Sequence, residues 1–572
     1  MKILSLHCDY ITFKPLKKAL KSIGKLVNGA EKEKRVDEAL TIFTAVEKKD
    51  ESNKNLLKHF ISNIEDIANK VNAKNIVLYP YAHLSPSLAS PEFAQDILEK
   101  AEKALSKKFK TTRAPFGYYK EFELKCKGHP LAELSREIHH EGTEEKDEKV
   151  IEPNETYDCS KLLNQVCKVH LDKRKLKEND HRILGEKLDL FSFFDCAPGM
   201  VFWHNKGWII YNQLIEFWRE EHKKSGYEEI STPQIMDKKL WQISGHWDKY
   251  KENVFLTKYE DREFVIKPMN CPGGILIFKE KPKSYKELPL RVGELGTVYR
   301  QELSGVLGGL FRVLKFTQDD AHIYCEEKQL EEEIIKIIDL IDRFYKKFNF
   351  AYHIELSTRP EKRIGSDKLW DKAEKVLESV LNKKKTKFKL NKGDGAFYGP
   401  KIDFHIQDSL GRTWQTATIQ LDFAMPERFD LTYTDKDNKK NRPVMLHRTV
   451  YGSLERFIGI LLEHTSGNLP TWLSPIQCRV LSFTDRNISA SEKILEQLKE
   501  QGIRADSDFD SSRINEKVRN AELQKIPYII VIGDKEEQNQ TLAIRHRGEK
   551  LKFGVKYDEF ISELKKEIKE RK

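Results

Sequence analysis

Between Glu141 and Lys149 the chain reads Glu-Gly-Thr-Glu-Glu-Lys-Asp-Glu-Lys, with no apolar position at helical or strand spacing. Such a run has nothing to bury, so it reads as a surface linker that divides the chain. The 572 residues are in any case too many for one hydrophobic core. About three or four domains are expected from the length.

The residues before the linker read as a small α/β unit. Met1 to Phe13 and Ala39 to Val46 have the apolar and β-branched content of strands. Leu56, Leu57, Phe60, Ile61, Ile64, Ile67, Ala68 and Val71 recur at the spacing of a helix with one buried face. Asn75–Pro80 reads as a buried strand. A second helix follows, with Ser90 as N-cap and Pro91 at its first position. Phe116 to Cys126 alternates as a strand does. After the linker, a helical connector is expected over Leu162 to Leu176. Cys159, Cys167 and His170 within it are too loosely spaced for a metal site and lack a fourth ligand, so they read as ordinary helix residues.

From about Asp180 to Pro470 the chain is rich in aromatics, glycines and β-branched runs, with helices such as Lys328 to Phe348 between them. The last hundred residues alternate strand and helix, through Arg479–Phe483, Leu495–Leu498, Ile503–Ala505 and Pro527–Ile532. That order predicts an α/β domain with a mostly parallel sheet. Hydrophobic residues make up 39% of the chain, which excludes wholesale disorder. No apolar run approaches the roughly 20 residues of a membrane span. The start turns polar too early for a signal peptide, and eight scattered cysteines suit a reducing compartment. A cytoplasmic protein is expected. The net charge of +10 suits a polyanionic partner without demanding one.

Three separated segments concentrate the polar residues. Tyr227–Met236 reads as a strand bounded by Pro233. Val298–His322 reads as two strands flanking a loop with Ser-Gly and Gly-Gly steps. Arg300 and Arg312 lie near that turn, where planar guanidinium forks suit phosphate. Glu302 suits a magnesium ion between phosphates, and Phe316 suits a base. Tyr451–Leu462 reads as a glycine-led helix with Arg456 near its start. Any one arginine is ordinarily just an exposed side chain.

These three segments resemble the signature segments of class II aminoacyl-tRNA synthetases. Asp180–Phe191, Ala197–His204, Lys267–Gly273, Phe316–His322 and Arg442–Arg448 resemble threonyl-tRNA synthetases over about residues 180 to 570. The resemblance implies an α+β catalytic core with an antiparallel sheet at 181–472 and an α/β anticodon-binding domain at 473–572. With a linker at 141–180 and an α/β editing domain at 1–140, the whole is an α/β multidomain chain. It implies threonine and ATP with Mg2+ as substrates, tRNA(Thr) as partner, and a homodimer built around Pro233. Arg300, Arg312 and Arg456 would hold the ATP phosphates. Glu302, Phe316 and Gln415 would complete the nucleotide site, and Lys401, close to the threonine pocket, would join Arg300, Arg312 and Arg456 as a catalytic residue. Met269, Gln318, Asp320, Tyr398 and Gln420 would line the threonine pocket.

The resemblance also implies one zinc ion per subunit, on Cys271, His322 and His447. Alone, each of these is more often a satisfied core residue. Three protein ligands leave a position open, and threonine can fill it with its amino group and hydroxyl. Valine has the same shape without the hydroxyl. One departure is visible: the family reads Cys-Pro-Gly-His where this chain has Gly274.

Serine keeps both groups that threonine offers, and one missing methyl is worth only ~1–3 kcal/mol. A second, hydrolytic site is therefore expected. Tyr79–Ser85, Ala114–Lys120 and Lys127–Arg136 resemble the N-terminal editing domain of archaeal threonyl-tRNA synthetases, a relative of the D-aminoacyl-tRNA deacylases. By that resemblance His83, Tyr119, Lys120 and Glu133 form the editing site. Glu536 and Arg545 would read anticodon bases. Ser511 and Ser512 stand where the family often has Asn.

Overall fold

The computed structural model describes residues 1–20, 32–85, 87–138, 158–167 and 176–572. The charged run at 141–149 lies outside these residues, as does most of the connector beyond the helix Cys159–Val166, with His170. Cys159 and Cys167 are exposed. The chain divides into two units, Met1–Thr156 and Tyr157–Lys572.

In the first unit the strands run in the order Lys110–Arg113, Asn75–Pro80, Lys34–Ala45, Lys2–Lys18, Tyr118–Cys126, and Glu133–Glu137 also pairs with Lys2–Lys18. The pairs among the first three are parallel. Parallel strands need a crossover, and the helices Leu56–Lys70 and Pro91–Leu105 supply them. Phe60, Ile64 and Ile67 of one helix and Ile97, Leu98 and Ala101 of the other share a core with Ile42, Ile76 and Leu78. The opposite face of the sheet carries Phe13, Phe43, Tyr79 and Tyr81. Ser90 stands at the N-cap position but makes no capping bond. Its hydroxyl donates to Glu51 instead, at 2.8 Å, so a neighbouring carboxylate has outcompeted the helix terminus.

The second unit is built on eight strands. Their order is Phe388–Asn391, Ala351–Ser357, Lys401–Gln407, Thr413–Asp422, Val444–Thr449, Lys315–Cys325, Leu290–Tyr299, Glu228–Glu229. All the inner pairs are antiparallel, and only the two outermost are parallel. Side chains alternate between faces. Ile354, Leu356, Phe404, Ile406, Ile419, Leu421 and Leu446 point to the helix side and join one core. The helices Asn205–Lys224, Leu330–Lys347 and Leu454–Thr465 close that core through Phe217, Trp218, Ile341, Phe344 and Phe457. Along Leu330–Lys347 the buried stripe also includes Ile337, while Ile335 lies at its margin. Glu333 is buried there because Arg291 grips both its oxygens at 2.6 Å. Ile341 has no exposure. Ile341→Ala is expected to lower the unfolding free energy by about 2–5 kcal/mol, measured by denaturant titration of the full chain.

Two sequence expectations change here. Tyr227–Met236 is not one strand. Glu228–Glu229 edges the large sheet and Ile235–Asp237 belongs to a separate small one. Pro233 between them has no N–H to continue a ladder. The C-terminal sheet is not mostly parallel. Its order is Ala505–Asp508, Cys478–Ser482, Tyr528–Ile532, Thr541–His546, Lys552–Lys556, with two parallel pairs followed by two antiparallel ones. The helix Asp534–Asn539 has six residues. That is only about 9 Å of rise, too little to carry the chain back to the start of a parallel neighbour.

Candidate active site

The face of the large sheet away from the helices carries the polar residues. Gln318, Asp320 and His322 alternate with buried Ala321 and Ile323 on Lys315–Cys325. Lys401 and Asp403, then Gln415, Thr418 and Gln420, then His447 continue across the neighbouring strands. Gln318, Asp320, Gln415, Thr418, Gln420 and His447 line a cavity of about 590 Å³, and His322, Lys401 and Asp403 are not among its lining residues. Of the residues singled out from the sequence, Arg300, Glu302, Arg312, Phe316, Gln415 and Arg456 line it, as do Met269, Gln318, Asp320, Tyr398 and Gln420. Cys271 and His447 line it too. Lys401 does not line it; its ammonium lies 3.1 Å from Asp394 and 3.0 Å from Asp403, whose other oxygen accepts from Gln415 and Thr418 of the cavity wall.

The cationic wall comes from three places. Arg300 follows the strand Leu290–Tyr299 directly and donates through Nε to the carbonyl of Pro268 at 3.1 Å. Its guanidinium lies 5.1 Å from the centre of the Phe316 ring. Arg312 precedes Lys315–Cys325 and pairs with Glu302 at 2.8 Å. Arg456 sits in the first turn of Leu454–Thr465, where Ser453 Oγ accepts its backbone N–H at 3.3 Å. Its Nε is buried with no hydrogen-bond partner among the described residues. Burial, then the charge of Arg312, hold it below the usual arginine range. A buried guanidinium without a counter-charge is costly, and an anion in the cavity would relieve it.

Gly452 enables the approach to that helix. Its φ is +82°, and a Cβ there would stand 2.8 Å from the carbonyl oxygen of Thr416. The same turn is fixed by Asp319, which accepts the N–H groups of Val450, Tyr451 and Gly452 at 2.8, 3.0 and 2.8 Å.

Beside this wall, ligand atoms of Cys271, His322 and His447 lie within 4.8 Å of one another, all three residues buried. His322 and His447 face each other across paired strands, with ring centres 4.9 Å apart. His322 Nε2 is buried with no hydrogen-bond partner among the described residues. His447 places Nε2 2.8 Å from Asp422 Oδ2, which leaves its other ring nitrogen for a ligand bond. Burial pushes the Cys271 thiol well up and the His322 imidazolium well down. A buried thiol and two imidazoles held together fit a cation that takes nitrogen and sulfur. Asp320, raised to about 6 by burial, is 3.7 Å from His322 Nε2. Tyr398 donates to Gln420 at 2.5 Å across the pocket. Gly274 lies within the helix Cys271–Lys279, and a Cβ there would meet His322 Nδ1 at 3.6 Å, an ordinary contact. The helix therefore runs through this position undisturbed.

Sequence reasoning missed several neighbours. Asp319 and Arg448 lie inside the family-like segments Phe316–His322 and Arg442–Arg448 but carried no assigned role, and Asp422 lies in no such segment. His246 places Nε2 4.0 Å from Cys271 Sγ and is pushed to about 3 by burial. His181 links Glu463 at 2.6 Å to the backbone N–H of Leu310 at 2.9 Å, tying the helix Leu454–Thr465 to the loop that carries Arg312.

In the first unit, Lys120 points onto the aromatic face of the sheet, 5.0 Å from the centre of the Tyr79 ring. Its ammonium donates to the carbonyls of Pro115 and Tyr118, each at 3.0 Å. Burial lowers it to about 8. His83 joins the same cluster through Tyr81, with ring centres 5.5 Å apart. Tyr119 does not. Adjacent strand residues face opposite sides, and its ring lies 5.6 Å from the Lys17 ammonium. Glu133 is also remote within the unit. It pairs with Leu6, whereas Lys120 pairs with Pro15, nine positions further along the same strand and roughly 30 Å away.

In the C-terminal part of the second unit, Glu536 and Arg545 line one cavity of about 930 Å³, with Phe483 and Phe553 exposed beside them. Arg545 pairs with Glu522 at 2.6 Å.

Three family models match the chain. One describes an archaea-specific editing domain of threonyl-tRNA synthetase and covers residues 1–138. The second describes the class II tRNA synthetase core domain (G, H, P, S and T) and covers 254–465. The third describes an anticodon-binding domain and covers 477–567. The threonine–tRNA ligase of Syntrophomonas wolfei is 53% identical over 395 residues, 69% of this chain and 62% of the relative. That of Carboxydothermus hydrogenoformans is 50% identical over 424 residues, 72% of this chain and 67% of the relative. The chain thus spans somewhat under two thirds of the length of several such relatives. A solved structure described as the RNA-binding domain of threonyl-tRNA synthetase from Cryptosporidium parvum is 40% identical, with a TM-score of 0.66 over 68% of this chain and 98% of that one. One described as a putative threonyl-tRNA synthetase from Aeropyrum pernix is 28% identical, with a TM-score of 0.62 over 68% of this chain and 97% of that one.

Proposed function

The chain belongs to the threonyl-tRNA synthetase family, and from that premise we propose that it is a threonine–tRNA ligase with its own editing site. It activates threonine with ATP and Mg2+, transfers the threonyl group to tRNA(Thr), and hydrolyses seryl-tRNA(Thr) in the first unit. The working division is editing at 1–140, linker at 141–180, catalysis at 181–472 and anticodon binding at 473–572, in a homodimer.

One observation carries this reading. The Cys271, His322 and His447 group adjoins the same cavity as Arg300, Arg312 and Arg456. In the proposed reaction the threonine carboxylate attacks the α-phosphorus of ATP and pyrophosphate leaves. Arg300 and Arg312 neutralise charge on the phosphates, and Arg456 takes the γ-phosphate. No protein nucleophile is required; positioning and charge stabilisation lower the barrier. Glu302 releases Arg312 as the phosphates arrive and remains beside the nucleotide. Phe316 and Gln415 seat the base and sugar side. Asp320 accepts the substrate amine, while Met269, Gln318, Tyr398 and Gln420 enclose the side chain. Cys271, His322 and His447 would hold Zn2+, which when bound supplies a Lewis-acid seat for the amine and hydroxyl of threonine. In the C-terminal part, Glu536 and Arg545 offer an acceptor and a donor to bases, with Phe483 and Phe553 as stacking surfaces. No described helix is long and apolar enough to cross a membrane.

Pyrophosphate exchange tests the reading. It is expected with threonine and not with proline, serine being the weaker second substrate. Exchange driven better by another amino acid than by threonine, or none at all, overturns it.

The editing step carries its own pH signature. An ammonium is the form that stabilises an oxyanion, and Lys120 loses its proton near 8, below the ordinary lysine value. Enzymatic seryl-tRNA hydrolysis, corrected for spontaneous loss, is therefore expected to fall about tenfold per pH unit above that point. In Lys120→Arg the charge persists, and the fall should vanish. A rate that rises through pH 8 would instead make Lys120 a base.

A further inference from the structure

On the cavity side of the large sheet, beyond Asp403, three side chains converge that none of these steps uses. His353 on Ala351–Ser357 and His405 on Lys401–Gln407 stand directly opposite each other across an antiparallel pair. Glu355 lies two residues along from His353, and so on the same face. Its carboxylate reaches both rings. Oε1 is 3.3 Å from His353 Nε2, and Oε2 is 3.5 Å from His405 Nε2. One ligand atom from each of the three lies within 4.8 Å of the others. The rings are nearly parallel, 11° apart, so both present the same edge to the carboxylate.

A tetrahedral ion with bonds of about 2.0–2.2 Å sets its ligand atoms roughly 3.3–3.6 Å apart. The two imidazole–carboxylate separations are of this order, each to a different oxygen of the one carboxylate. Asn391 donates to Glu355 Oε2 at 3.2 Å, an outer contact of the kind that orients a ligating carboxylate. The three side chains keep 35%, 19% and 20% of their surface exposed, enough to leave an entry path and open positions for water. The group is separate from Cys271, His322 and His447, since Thr413–Asp422 lies between Lys401–Gln407 and the strand of His447.

We propose that His353, Glu355 and His405 form a second metal site, taking a divalent transition-metal ion of borderline softness such as Zn2+ or Ni2+. Two imidazoles and a carboxylate suit these ions better than Mg2+ or Ca2+, which prefer all-oxygen shells. The site also touches the wall of the cavity. Asp403, two residues before His405, accepts from Gln415 at 2.6 Å and Thr418 at 3.0 Å, and both line the cavity.

The test compares the full chain with His405→Gln and Glu355→Gln. Each protein is stripped with a chelator and dialysed against Zn2+, and bound metal is counted by elemental analysis. The unsubstituted chain is expected to hold one equivalent more than either variant. It should also give a saturable Ni2+ titration heat that both variants lose. Glu355→Gln keeps the side-chain shape, so it decides the matter even if His405→Gln fails to fold. Equal metal content in the unsubstituted chain and Glu355→Gln overturns the proposal and leaves the group as two imidazoles sharing one carboxylate.

Discussion

Cys271→Ala is expected to abolish the enzyme's choice of threonine, with kcat/KM for threonine in pyrophosphate exchange falling about 10³-fold or more. The reason is local. Cys271, His322 and His447 are all buried, and removing the thiol leaves two neutral rings to hold a doubly charged ion without an anion among its ligands. Bound metal per chain should drop with the activity. Residual exchange should separate threonine from valine by no more than about 10², the limit that shape alone sets for such isosteres. Thermal unfolding provides the control: the helix Cys271–Lys279 packs through Ile275 and Phe278, so the fold should survive. A metal-free variant that still prefers threonine a thousandfold would refute the role of the metal.

Lys120→Met is expected to slow seryl-tRNA hydrolysis by about 10²–10³-fold, the usual loss when a charge that stabilises an oxyanion is removed. Threonine activation should stay within a factor of two, because the cavity that holds Arg300 and Arg456 lies in the other unit. Methionine keeps the apolar length that packs on Tyr79, so the aromatic face should remain intact. Seryl-tRNA should then accumulate in a charging assay that supplies serine and threonine together. Unchanged hydrolysis would remove Lys120 from the site.

Much of the fold was legible where one period dominates. The stripe from Leu56 to Ile67 gave a helix at its observed place, and Asn75–Pro80 is a strand with those bounds. Legibility failed where a tertiary partner outweighed the local pattern. Ser90 matches an N-cap in sequence, yet Glu51 takes its hydroxyl. The C-terminal strands alternate with helices, yet Asp534–Asn539 is too short to reverse the chain.

The cavity was legible only through resemblance. Cys271, His322 and His447 are separated by tens of residues, and pairing between Lys315–Cys325 and Val444–Thr449 is what brings the two histidines together. Asp319 and Asp422 escaped notice because a carboxylate in a strand has no pattern until its partners are known. In the first unit the geometry of the single chain departs from the grouping that resemblance implies. Resemblance grouped Lys120 with Tyr119 and Glu133, but alternation turns Tyr119 to the other face and the register carries Glu133 far along the sheet.

The grip of Asp319 on Val450, Tyr451 and Gly452 has a wider consequence. Its neighbour Asp320 lines the cavity in which the amino acid is proposed to bind, while the turn that Asp319 clamps launches the helix bearing Arg456. Selectivity and nucleotide handling are thus mounted on a single bracket. A lineage that retuned this pocket for a new side chain by shifting the strand would drag the phosphate clamp along with it. Changes at pocket side chains, with the strand left still, are the route by which such an enzyme can acquire new tastes.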